Sequence, residues 1–107
     1  MKPGDIWIVH IPDISSHEQS GTRPAVVVAR VAKTIATVIP CTSNKAALRF
    51  PFTHRIEPTK KNGLTKPSVA LVFHVRALDV CFFDKKIGTL EREILAAIRA
   101  QARKLIG

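Results

Sequence analysis

The chain has 107 residues, 46% of them hydrophobic, with 17 Lys and Arg against 8 Asp and Glu for a formal net charge of +9. That length allows one core and hence a single domain over residues 1–107, and the apolar content excludes general disorder. The charge points to a polyanion, with nucleic acid ahead of a membrane surface, because the one long helical pattern carries neither Trp nor Phe as an apolar anchor. Cys41 and Cys81 lie outside any CxxC pair, so nothing requires a disulfide. The opening MKPGDIWIVH has no long apolar stretch or small-residue cleavage site, and no run approaches a membrane span; a cytoplasmic protein is expected.

Asp5 to His10 reads as a first strand. Ile6, Trp7, Ile8 and Val9 are apolar on both faces, which predicts a central position, and Pro12 ends the strand. Asp13 to Gly21 is a long polar loop, and loops of that length are more often functional than idle. The stretch His17 to Arg30, HEQSGTRPAVVVAR, then organises the chain. Gly21 opens backbone angles closed to other residues, and Pro24 pushes Arg23 towards extended backbone. Pro24 suits the head of a strand running from Ala25 to Val31. Arg23 is thereby a cation placed with little freedom at the mouth of a buried strand.

A hairpin through Ala32 and Lys33 leads to a strand from Thr34 to Pro40, and CTSN follows with Thr42, Ser43 and Asn44 at its end. Alternation over Arg49 to Ile56 puts Phe50, Phe52, His54 and Ile56 on one face of a half-buried strand, which Pro51 assigns to an edge or a bulge. EPTKKNGLTKP, Glu57 to Pro67, reads as a turn-rich basic loop whose lysines are solvated. Ser68 to Asp79 reads as one long strand or two bent ones, with His74 and Arg76 on the same side. Lys85 to Gly88 is a short strand or turn. The last element is a helix with Thr89 as N-cap and a core stripe of Leu90, Ile94, Ile98, Leu105 and Ile106, flanked by Leu95 and Ala102. Strands followed by one terminal helix suit a small antiparallel sheet or barrel.

In this order, the blocks GDIWIV, HEQSGTRPAVVV, IPCTSN, SVALVFHVRALD and KKIGTL resemble the MazF/PemK (Kid) family of toxins over nearly the whole chain. The resemblance implies a small SH3-like barrel of the MazF/CcdB type with a C-terminal α-helix packed on it, assembled as a homodimer. It also implies a metal-independent, sequence-selective endoribonuclease acting on single-stranded RNA, in which the ribose 2′-OH attacks the adjacent phosphorus to leave a 2′,3′-cyclic phosphate and a 5′-hydroxyl. No cofactor is implied. A cognate antitoxin with an acidic C-terminal segment is the expected protein partner.

That chemistry needs a proton acceptor for the 2′-OH, a proton donor for the leaving oxygen, and fixed positive charge for the phosphorane. Arg23 offers a planar fork matched to phosphate oxygens. The family pattern carries over to Arg23 and Thr42 as catalytic residues, with His17, Glu18, Gln19, Ser43, Asn44 and Arg76 as substrate contacts. One departure matters. Where relatives carry an acidic residue followed by glutamine, this chain has Phe73 and His74, and it has Leu71 where some carry an arginine. His74 is the third catalytic candidate, since imidazole titrates near ~6.5, although strand parity puts residue 73 on the side of the missing carboxylate. His17 stays open as the alternative base, and His54 is assigned to structure. The four histidines and two cysteines repeat no ligand spacing, so no metal site is expected. The departure also keeps open a catalytically impaired RNA- or antitoxin-binding module. A gyrase-binding toxin of the same fold is a weaker alternative, because the chain ends KLIG without a terminal tryptophan region.

Overall fold

The computed structural model describes residues 1–11 and 22–107. Its strands are β1 (Asp5–His10), β2 (Thr22–Ala32), β3 (Ile35–Thr42), β4 (Thr53–Ile56), β5 (Ser68–Leu71), β6 (Arg76–Asp79) and β7 (Phe83–Thr89), and the helix α1 (Arg92–Ile106) follows them. They form an antiparallel sheet in the order β4-β5-β3-β2-β1-β7, with β6 also paired to β3. The fold is mainly β with one C-terminal helix, as expected. Among the described residues no ladder joins β4 to β7, so the barrel is left open there; the loop after β4 spans the gap, where the Thr89 amide donates to the Lys61 carbonyl at 2.8 Å.

β1 lies between β2 and β7, and its two faces enter different cores, Ile6 in one and Trp7 and Val9 in the other, which accounts for its apolar character on both faces. Adjacent residues of β2 enter different cores, as a pleated strand requires. Val26 packs with Ile6, Ile39, Ala70, Val72, Leu90 and Ile98, whereas Ala25 and Val27 pack with Val9, Ala36, Val38 and Leu78. Each fully buried valine contributes about 1.5–3 kcal/mol. α1 closes the first core with Ile98, which is 0% exposed, and Ile94, Leu95 and Ala102 flank it. The Arg99 guanidinium donates to the Val28 carbonyl at 2.8 Å and the Gln101 amide to the Thr53 carbonyl at 3.1 Å, fixing the helix across the sheet.

Several elements differ from the sequence reading. The stretch expected as one strand from Arg49 to Ile56 is a 3₁₀ turn (Lys45–Arg49) and then the short β4. Asn44 starts that turn by accepting from the Ala46 amide at 3.0 Å, and Phe52 adopts φ 58°, so the chain between turn and strand cannot stay pleated. Phe50 is therefore exposed rather than aligned with Ile56. Ser68 to Asp79 breaks into β5 and β6 around a 3₁₀ turn at Val72–His74. β5 is buried on both faces, so its residues do not divide into an inner and an outer set. β2 starts at Thr22 with Pro24 inside it, opposite Ile8. Thr89 ends β7 instead of capping the helix, and Glu91 is the N-cap residue. Ile106 is 79% exposed, lying about 80° around the helix from Ile98.

Candidate active site

The two catalytic candidates that the sequence singled out most strongly come from different strands and meet. β2 and β3 are antiparallel neighbours with Ala25 opposite Pro40, so the start of β2 lies beside the end of β3. Arg23 and Thr42 line one cleft of about 510 Å³ there, with Ser43 on its rim. Arg23 is half-buried and engaged with its surroundings. Pro24 after it restricts its backbone, as expected.

The rest of the wall can be followed segment by segment. On the far side of β3, β5 sets Ala70 opposite Cys41 and Val69 opposite Thr42, which brings the start of β5 and the residues before it to the cleft, including Lys66 and Ser68. On the far side of β2, Pro24 lies opposite Ile8 and Ile8 opposite Lys85, a row across three strands that reaches the cleft. The loop from Gly63 to Thr65 closes the ring against Ile87. A Cβ on Gly63 would sit 2.0 Å from the Ile87 carbonyl oxygen, so only glycine allows this approach.

The lining is thus three cations, Arg23, Lys66 and Lys85, with the hydroxyls of Thr22, Thr42, Ser43, Thr65 and Ser68. Among the described residues that line it there is no carboxylate and no imidazole. Cys41 is no nucleophile: burial pushes its thiol up to about 12, which keeps the sulfur neutral. Among the described residues no three His, Cys, Asp or Glu side chains converge as a metal-binding group.

The other site candidates lie elsewhere. His74 is exposed, its ring 4.6 Å from that of Phe73, and neither it nor Arg76 lines the cleft. Arg76 is exposed on β6, opposite Val38. The Asn44 side chain caps the 3₁₀ turn, while its amide donates to Thr42 Oγ1 at 3.2 Å; Asn44 is thereby a neighbour of the cleft rather than part of its wall. His17, Glu18 and Gln19 lie outside the described residues.

Lys66 and Lys85 were missed by the sequence reading. For Lys66 a signal existed: Lys66-Pro67 ahead of β5 repeats the cation-proline arrangement of Arg23-Pro24 in β2. Lys85 reaches the cleft through its register with Ile8, which no local pattern encodes.

Comparison with known proteins gives the family and the fold. A family model described as "PemK-like, MazF-like toxin of type II toxin-antitoxin system" matches residues 2–106. A crystal structure of MazF from Deinococcus radiodurans is 26% identical, with a TM-score of 0.77 over 100% of this chain and 96% of that one. The MazE-MazF complex from the same organism gives 23% identity and a TM-score of 0.76, again over 100% and 96% of the two chains. A mycobacterial endoribonuclease in complex with its cognate antitoxin gives 13% and 0.72, over 98% of this chain and 93% of that one. The last two are likenesses of fold. No match is found among curated proteins.

Proposed function

The chain belongs to the PemK-like, MazF-like toxins of type II toxin-antitoxin systems, and from that premise we propose that it is a metal-independent endoribonuclease that cuts single-stranded mRNA at the Arg23 cleft. One observation carries the reading: Arg23 and Thr42, distant in sequence, line a single cationic cleft rich in hydroxyl groups. The scissile phosphate binds with its non-bridging oxygens towards the Arg23 guanidinium. As the 2′-OH adds to phosphorus, negative charge grows on those oxygens and Arg23 neutralises it through two parallel hydrogen bonds. The Thr42 hydroxyl donates to the same oxygens and fixes the phosphate's orientation. The P–O5′ bond then breaks with its electron pair passing to O5′, which takes a proton from water, leaving the cyclic phosphate and the 5′-hydroxyl.

Because the described wall offers neither carboxylate nor imidazole, stabilisation of charge does most of the work, and the proton is accepted by water or by a group from outside that wall. The toxin acts as a homodimer, and an acidic antitoxin segment blocks the cleft; complexes of similar toxins with antitoxins support an antitoxin partner. The test is to incubate purified protein with end-labelled single-stranded RNA in excess chelator and identify the ends. Cyclic phosphate and 5′-hydroxyl termini are expected, and 5′-phosphate termini would contradict the mechanism. The absence of a carboxylate from the described wall favours one second reading, an impaired module that binds RNA or antitoxin without cutting. Intact RNA retained on the protein would establish it.

A further inference from the structure

We propose that Lys66 and Lys85 together hold a second backbone phosphate, the one flanking the scissile phosphate at Arg23, and that Asn62 is the residue that positions Lys66. The inference rests on the endoribonuclease reading of the same cleft.

Strand order supplies the geometry. Going one way around the cleft from β2, the next strands are β3 and β5; going the other way they are β1 and β7. Lys66, just ahead of β5, and Lys85, on β7, are therefore each two strands from Arg23, on the order of 10 Å of backbone separation. The loop from Gly63 to Thr65 joins the two sides, so both lysines belong to the wall across from Arg23. Thr42 lies between Arg23 and Lys66 because β3 pairs with both β2 and β5. Charge leads to the same arrangement. One phosphodiester carries a single negative charge and its phosphorane two, whereas the wall carries three cations. Arg23 with the hydroxyl groups suffices for the reacting phosphate, which leaves the lysine pair for its neighbour.

The placement of Lys66 is enforced. Asn62 is 0% exposed, yet its side chain is fully engaged. Its Oδ1 accepts from the amides of Thr59 at 2.9 Å and Leu64 at 3.0 Å, and its Nδ2 donates to the Glu57 carbonyl at 2.9 Å and to Glu91 Oε1 at 3.3 Å. The Thr59 hydroxyl donates to Glu91 Oε2 at 2.7 Å, tying the loop to the start of α1. Leu64, 7% exposed, anchors the loop in the core, and Pro67 holds the Lys66 backbone extended. A buried amide that satisfies three partners in the loop and a fourth at the start of α1 fixes the backbone from which Lys66 projects.

The experiment measures binding of a mixed-sequence 2′-O-methyl RNA, which offers no attacking hydroxyl, as a function of salt, alongside cleavage kinetics on unmodified RNA. Lys66 and Lys85 are exposed, so Lys66→Met and Lys85→Met leave the core untouched. The double variant is expected to flatten the logarithmic salt slope by about 0.7, the loss of one phosphate, and to raise KM with little change in kcat. Lys66→Arg is expected to restore the slope. Asn62→Ser and Thr59→Val, assayed below their melting temperatures, are expected to flatten it without removing any charge. A double variant with the slope and KM of wild type, in a protein that cuts RNA, overturns this inference alone. A wild-type protein that neither binds nor cuts RNA overturns the endoribonuclease reading, and this inference with it.

Discussion

At the scale of single residues, the proposed chemistry rests most heavily on Arg23, and its substitution separates charge from geometry. Arg23→Ala is expected to lower the rate by roughly 10²- to 10³-fold, the loss of one preorganised donor to a developing oxyanion, when assayed well below the melting temperature of the variant. Arg23→Lys keeps the charge without the fork and is expected to recover only part of it; full recovery would show that a point charge suffices. The structure also bears on the histidine question. With His74 lying against Phe73 outside the cleft wall, His74→Gln is expected to leave the acidic limb of the pH–rate profile in place. Disappearance of that limb would return His74 to the site. The cysteines give a third expectation. Cys41 holds its proton up to about 12, while Cys81 is exposed, so a thiol-alkylating reagent should modify the folded protein once, at Cys81, and the unfolded protein twice. The same shift has a sign for stability. Above the ordinary thiol value of 9.0 the unfolded chain loses the Cys41 proton and the folded chain does not, so this contribution to stability falls as pH rises from about 9 towards 12. Arg23 stood out in the sequence because its signal is local, a proline fixing the residue before it, whereas Thr42 was named only through the family resemblance of its IPCTSN block, since a hydroxyl at a strand end is by itself ordinary turn chemistry. The cationic far wall was not legible, because Lys66 looks like any lysine in a basic loop until the fold closes that loop onto β7.

Among the elements, the loop after β4 is a set piece rather than a solvated connector, and it responds to pH through Glu91. The Thr59 hydroxyl, and beyond it the Asn62 amide and the charge of Lys61, hold the Glu91 carboxyl below its ordinary 4.5, against a smaller opposing effect of burial. A carboxylate with a lowered folded pKa contributes stability that is present above 4.5 and is lost as pH falls through the folded value. Hydrogen exchange at the Gly63 and Leu64 amides, which donate to the Thr59 carbonyl and to Asn62 Oδ1, should therefore accelerate beyond the intrinsic rate as pH falls through that folded value; Glu91→Gln should abolish that step. Asn62→Ala should cost about 1–3 kcal/mol for each buried partner left unmet, measured by denaturant unfolding. Strands with uninterrupted apolar runs, such as β1 and the AVVV of β2, were readable because burial on both faces leaves a plain mark. The segment from Arg49 to Ile56 was misread because Phe50, Phe52 and His54 happen to alternate, while an Asn44 cap and a residue at φ 58° set the actual course of the chain. Neither is a periodic feature.

For the whole molecule, the relevant quantities are a net charge of +9 and a cleft whose described wall contributes three cations and no anion. Under the proposed function, RNA and an acidic antitoxin segment would compete for one electrostatic field, and this has a measurable form. A synthetic peptide alternating Glu with apolar residues should inhibit cleavage competitively, raising apparent KM and leaving kcat alone, because it occupies the cleft without entering the reaction. The inhibition should weaken as salt rises, since exposed charges farther apart than about 8 Å at 0.15 M ionic strength no longer attract each other strongly. It should also weaken in the Lys66→Met/Lys85→Met variant and by less in a control that removes two lysines away from the cleft, such as Lys33→Met/Lys104→Met, where net charge falls equally. Equal loss in both variants would mean that total charge governs the interaction. In that case the arrangement of cations around the cleft would have no part in choosing the partner.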